Sequence, residues 1–402
     1  MGNNIPQGYK ATALGIIPQE WKTIRLKDCF SISAGGDVQK DCFSEAPSLQ
    51  YKYPIYSNSL FNHGLYGFTS HPRHKANSIT ITGRGALGHA EYREIDFDAI
   101  VRLLVLAPKI PLNGQYITEY INFRKPFFYE STGVPQLTAP QIANIQVLFP
   151  PLGEQRKIAE VLGVWDEAIE KQARLIEKLA LRKRALMQRL LSAKLRLPGF
   201  SEPWQKVKLG EICERVTRKN IEDNQNVMTI SAQCGFVAQT DFFNKSVASE
   251  TLESYYLVFK DEFCYNKSYS NGYPMGAIKR LSEADKAVVT SLYICFNVKP
   301  ETNTNIDYLS YYFDNGGLNR GLTKIANEGG RAHGLLNVTP KDFFGLSFEI
   351  PSLKEQTAIA EVLIAADREI ELAKEKLDRL RRQKRGLMQQ LLSGKKRVKI
   401  NI

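Results

Sequence analysis

The run Gly83-Arg84-Gly85-Ala86-Leu87-Gly88 fits G-x-G-x-x-G, a spacing in which glycines let the main chain curl around a phosphate. It follows a strand-like stretch, Ser78–Thr82, but His89–Asp98 behind it is polar and aperiodic. A dinucleotide site needs a helix there. Two readings remain: a tight turn that carries Arg84 to a nucleic-acid phosphate, and a purely structural turn. Other chemistries are missing from the chain. There is no Walker A loop, no H-E-x-x-H, no G-x-S-x-G and no acidic cluster at metal spacing. No Asn-Pro-Pro-Tyr or Asp-Pro-Pro-Tyr run is present, as an adenine methyltransferase would need. His71 and His74 lack a third ligand, and Cys29, Cys42, Cys213, Cys234, Cys264 and Cys295 form no Cys-x-x-Cys pair. The expectation is a binding protein with no catalytic residue, no metal and no cofactor of its own.

The groups that could bind are cationic and amide side chains in loops. Arg and Lys neutralise phosphates, and Arg, Lys, Asn and Gln can form paired hydrogen bonds to base edges. In the N-terminal half these are Asn58, Arg73, Lys75, Arg84, His89 and Gln136, with Arg93, Arg102 and Thr138 among them. In the C-terminal half, Asn266, Lys267 and Tyr273 lie in a run that interleaves aromatic, amide and basic groups, and Lys279, Arg280, Arg331 and His333 follow. Each residue alone reads better as a solvated surface charge; the two sets together suggest double-stranded DNA. The formal net charge of +12 fits a polyanionic partner. Hydrophobic content is 43% and charged content 24%, ordinary for a globular chain of 402 residues. No apolar run approaches the ~20 residues of a membrane span, and the N-terminus lacks a signal-peptide layout. A cytoplasmic location without membrane contact is expected.

What positions these loops is a repeat. Glu154–Ser192 recurs as Glu355–Ser393, 201 residues later and without a gap. In the first copy the 4-3 spacing runs through Ile158, Leu162, Trp165, Ile169, Ile176, Leu179, Leu186 and Leu190. In the second it runs through Ile359, Leu363, Ile370, Leu377, Leu380, Leu387 and Leu391. This heptad seam predicts two coiled-coil helices, each roughly 57 Å long. Lys183 and Lys384 occupy the same seam position, where they could set an antiparallel register or reach a partner or DNA. Entry segments recur too: Trp21 with Ile24 and Leu26 matches Trp204 with Val207 and Leu209. The bodies between entry and helix differ. Strands are expected at 78–82, 100–106, 226–231 and 288–296, and short helices at 115–123 and 306–313. The fold class is α/β (α+β), in four parts: 1–150, a first body with its entry segment; 151–196, a first spacer helix; 197–350, a second body; and 351–402, a second helix and tail. The tail from Arg397 to Ile402 is expected near residues 10–18.

The Pro-x-Leu-x-Glu-Gln-x-x-Ile-Ala-x-Val-Leu-x-x-x-Asp lead-ins at Pro150–Asp166 and Pro351–Asp367 resemble the conserved helical regions of type I restriction-modification specificity subunits. The Leu-Met-Gln-x-Leu-Leu-Ser helix ends and the Ile17-Pro18-x-x-Trp21 entry are similar as well, and Asn266–Ser268 and Gly83–Gly88 look like parts of that family's target recognition domains. The resemblance implies two target recognition domains, each reading one half of a split DNA site. It implies antiparallel spacer helices in a pseudo-twofold, circular arrangement. Two modification subunits would methylate adenine N6 with S-adenosylmethionine, and restriction/translocase subunits would use ATP with Mg. Competing readings are a specificity subunit of another restriction class, a coiled-coil adaptor without DNA specificity, and a self-contained enzyme, which the missing motifs disfavour. If the helices act as a ruler, one heptad added to each should lengthen the unread gap of the methylated motif and leave its bases unchanged; an unchanged gap would refute the ruler.

Overall fold

The computed structural model describes residues 5–125, 135–239, 252–328 and 336–399. It divides into two compact units, Met1–Ala173 with Glu375–Ile402, and Arg174–Lys374. Each unit therefore holds the first half of one long helix and the second half of the other.

The two long helices are Leu152–Leu190 and Leu353–Leu391, 39 residues each. Prolines at 150, 151 and 351 precede them, and none interrupts them. After them, Ala193 and Gly394 take left-handed φ values of 57° and 73°. Glycine is required only at the second: a Cβ on Gly394 would lie 2.5 Å from Pro18 Cδ. The seam faces inward. Ile158, Leu162, Leu179, Leu190, Ile359, Leu363, Leu377 and Leu391 are buried, and Trp165, Ile169, Ile176, Leu186, Ile370, Leu380 and Leu387 are half-buried.

In the first unit, the entry strand Lys22–Arg25 pairs antiparallel with the exit strand Gln146–Phe149. Between them lies a four-stranded sheet in the order Phe30–Ala34, Leu104–Pro108, Ser78–Ile81, Ala90–Arg93. A second four-stranded sheet has the order Asp98–Ala99, Tyr53–Tyr56, Leu65–Thr69, Phe43–Ser44. Helix Gly114–Arg124 is capped by Asn113, and its buried face joins Trp21, Ile158, Leu162, Met388 and Leu391 in one apolar core. Ile158 and Leu162 meeting Met388 and Leu391 means that the helix segments in this unit run antiparallel.

The second unit repeats the frame. Gln205–Lys208 pairs with Ser347–Ile350, and Asn305 caps helix Ile306–Asp314. Leu190 and Leu191 pack with Ile359 and Leu363. Its four-stranded sheet has the order Cys213–Val216, Ile294–Val298, Phe263–Asn266, Ala277–Arg280.

Both expected short helices are present. Two expected strands are shorter than their apolar runs. Residues 100–103 form a turn, with left-handed φ at Val101 and Arg102, before the strand begins at Leu104. The 288–296 run is cut by a turn into Lys286–Val289 and Ile294–Val298. An apolar run need not be buried throughout: Val101 and Leu292 are exposed in these turns, and sequence alone does not separate such a turn from a strand.

Polar contacts at repeat-equivalent positions fasten each unit. Gln155 donates to Pro150 O and accepts from Asn113 N, and Gln356 does the same with Pro351 O and Asn305 N. Each seam lysine faces an Asp of the antiparallel segment in its own unit, and Lys384 also reaches Glu119 of helix Gly114–Arg124. Lys384 Nζ lies 2.7 Å from Asp166 Oδ1 and 3.0 Å from Glu119 Oε2. Lys183 Nζ lies 2.5 Å from Asp367 Oδ1, whose other oxygen accepts from Tyr311 at 2.7 Å. The tail closes on the first unit: the Tyr9 hydroxyl donates to Gly394 O, Val398 packs beside the core that holds Ile17, and Arg397 pairs with Glu20 and Glu154.

Burial raises the Glu119 carboxyl above its ordinary value of 4.5; Lys384 opposes this and the Asp166 charge adds to it. The folded chain therefore holds this proton more tightly than the unfolded chain. Its contribution to stability grows as pH falls from the raised value toward 4.5. Glu119→Gln mimics the protonated form. Its thermal midpoint should exceed that of the parent above this window, and the difference should shrink as pH approaches 4.5. A difference independent of pH would contradict the assignment.

Candidate nucleic-acid interface

In the first unit the Gly83 turn is fastened by an amide. Asn58 Oδ1 accepts from Gly83 N at 2.7 Å, and Asn58 Nδ2 donates to Val101 O at 2.6 Å. Arg84 and Arg102 are exposed on the two turns joined in this way. With Gln136 and Thr138 they line a cavity of about 390 Å³ whose lining includes no Asp or Glu. Among the described residues, the side chains of Arg84, Arg102 and Gln136 have no polar partner. Asn58 is thus bound to main chain on both ends, and its role here is to hold the turns.

Other cations from the sequence are already engaged by groups of the same body. Arg73 Nε donates to Asp98 at 2.7 Å, and its Nη2 reaches Asp37 O and Ala99 O. Asp98 is only 2% exposed, so Arg73 neutralises a buried acid. Arg93 is buried, donates to Thr80 Oγ1 and stacks 3.6 Å from the Tyr56 ring. Lys75 projects into solvent and pairs with Asp96 at 3.0 Å. His89 Nε2 sits 2.9 Å from Glu91 Oε1, and His63 shares that oxygen. Burial pushes the Glu91 carboxyl up, but the His89 contact, the Arg93 charge and the His63 contact together hold it below its ordinary value.

In the second unit, Asn266 donates to Ile230 O and accepts from Ser268 N, which orders the turn after its strand. Lys267 is half-buried and its ammonium has no acid partner among the described residues. Burial lowers its pKa, and the nearby Arg215 lowers it further. No acid among the described residues offsets these two effects on Lys267. Arg215 had no signal in the sequence, because strand pairing alone brings it near a lysine 52 residues later. Tyr273 closes the Ser270–Tyr273 turn and lies under Lys279, 5.0 Å from Nζ to the ring centroid. Lys279 pairs with Asp314 at 2.7 Å and Arg280 with Asp307 at 2.7 Å, so both are engaged. Arg331 and His333 lie outside the described residues. Among the described residues, no group of three His, Cys, Asp or Glu could hold a metal ion, and no helix is long and apolar enough to cross a membrane.

These features define a duplicated frame carrying two unlike, partly cationic bodies. The type I restriction modification DNA specificity domain matches residues 18–180 and again 201–382, and the chain belongs to that family. The chain is 33% identical, over 145 residues, to a Mycoplasma pneumoniae protein assigned as type I specificity subunit S.MpnORF507P; that stretch covers 36% of this chain and 39% of the relative, well under half of its length. It is 22% identical to the type I restriction enzyme MjaVIII specificity subunit of Methanocaldococcus jannaschii, over 95% of this chain and 94% of that one. Its fold is similar to the crystal structure of a type I restriction-modification S subunit from M. genitalium, with a TM-score of 0.56 and 16% identity over 98% of this chain and 97% of that one.

Removing Arg73 leaves Asp98 buried and unpaired, which costs on the order of 3 kcal/mol. Arg73→Ala should therefore lower the thermal midpoint clearly, whereas Arg84→Ala should leave it unchanged. Equal midpoints for the two variants would refute the division between internal and free arginines.

Proposed function

We propose that this chain is the non-catalytic DNA-recognition subunit of a type I restriction-modification complex working in the cytoplasm. Each body reads one half of a bipartite site in double-stranded DNA. The long helices set the spacing and dock two adenine-N6 methyltransferase subunits. S-adenosylmethionine, and ATP with Mg where restriction/translocase subunits take part, act on those partners. The observation that carries this reading is the contrast inside the duplicated frame. The helix starts, caps and seam ion pairs recur at matched positions, while the bodies carry different free groups, Arg84, Arg102 and Gln136 in one and Lys267 with Arg215 in the other. Constant contacts suit constant partners, and variable surfaces suit two different half-sites.

Methylome sequencing of a strain carrying this chain with its modification partner is the test. The expected result is adenine methylation at one motif made of two defined parts around a fixed undefined gap. A continuous motif, or no methylation that depends on this chain, would overturn the reading.

A further inference from the structure

The cavity between the Gly83 turn and residues 136–138 has a construction that its sequence does not reveal. Val101 and Arg102 both adopt left-handed φ, 53° and 59°. Such values are costly for a β-branched residue and persist only where surroundings impose them. Here the surroundings are identifiable. Val101 N donates to Gly36 O and Arg102 N to Gly35 O, while Gly35 N donates to Leu103 O. Asn58 then ties Val101 O to Gly83 N. Leu137 N donates to Gly83 O at 2.9 Å, and a Cβ on Gly83 would lie 2.9 Å from Leu137 O and 3.1 Å from Arg102 O. Glycine at 83 is thus what lets the three segments meet.

Three separate stretches of chain deliver two free guanidiniums and a free amide to one cavity without a carboxylate. We propose that this cavity seats one phosphodiester group of the DNA backbone, and that Asn58 is the positioning residue that keeps its two arginines on a common rim. The proposal rests on the DNA-recognition reading above. The ligand must be rich in acceptors and negatively charged. Donors carried by three stretches of chain on the lining of one cavity suit the oxygens of a tetrahedral phosphate. A guanine edge would instead be met by one arginine lying in the plane of the base. Holding Val101 and Arg102 in place before DNA arrives spares the complex the ordering of that loop on binding.

The test uses the full chain assembled with its modification subunits. Its affinity is measured by fluorescence anisotropy across a salt series, for a duplex carrying the methylated motif and for one with both half-sites scrambled. The double variant Arg84→Ala/Arg102→Ala should weaken both duplexes by the same factor and lower the slope of log affinity against log salt by about 0.9, the share of one phosphate. Asn58→Ala, which keeps both arginines, should weaken both duplexes in the same proportion with a smaller loss of slope. Destabilisation alone would reduce the active fraction and leave the slope intact. If the double variant instead relaxes the preference at one base pair with its slope unchanged, the cavity reads a base and the phosphate seat is overturned. No change with either duplex overturns it as well. The parent complex decides the underlying reading separately: equal affinity for the two duplexes would remove sequence recognition, while the slope would still judge the phosphate seat.

Discussion

A buried carboxylate at the start of each long helix is the constraint on which the rest of the structure depends. Glu154 is fully buried and Glu355 is 1% exposed. An ionised acid at such a depth is tolerated only with a partner. Arg397 supplies it for Glu154 through contacts of 3.0 and 2.8 Å, and Arg196 for Glu355 through contacts of 2.6 and 2.7 Å. Each arginine follows the end of the other long helix, so in each unit a helix start is closed by a helix end. Breaking a pair of this kind costs about 3–5 kcal/mol, because the remaining charge is stranded. Both arginines take the two oxygens of their carboxylate, but Arg397 also pairs with the Glu20 side chain where Arg196 donates to Glu202 O. Trp21 Nε1 donates to Glu154 at 2.9 Å, whereas Trp204 Nε1 finds no partner among the described residues.

The seam lysines add register to this closure. An apolar seam tolerates sliding by a heptad, because Leu and Ile substitute for one another at little cost. A lysine does not: moved by one heptad it would lose its carboxylates and face apolar side chains. Lys384 meets Asp166 and Glu119, and Lys183 meets Asp367 beside Tyr311. The sequence left these lysines with three roles, and their contacts are internal to the helix frame. Glu119 and Tyr311 occupy corresponding places on the capped short helices, so the first unit carries an extra acid where the second carries a phenol. That difference makes the two frames unequal in their response to pH.

The frame was legible in the sequence because its contacts are repeated. A constant offset of 201 residues joins Gln155 to Gln356, Asp166 to Asp367, Lys183 to Lys384 and Arg196 to Arg397. The arginine pair was the hardest of these to see, since the flanking residues diverge after Ser192 and Ser393. The bodies were far less legible. Arg73, Arg93, Lys279 and Arg280 look like free cations in one dimension and become internal partners only when sheets and helices bring Asp98, Tyr56, Asp314 and Asp307 to them. Arg102 sat in an apolar run that reads as strand, yet it lies in a left-handed turn. Net charge signals a polyanion, but pairing decides which charges remain for it.

The proposed function requires a constant frame and two bodies that each read their own half-site. The most direct measurement exchanges residues 26–145, between the entry strand and the exit strand, for the matching body of a family member with a different motif, and sequences the resulting methylome. The expected result is a motif in which one half is replaced while the other half is retained. Replacement of both halves, or of neither in an active complex, would contradict the claim.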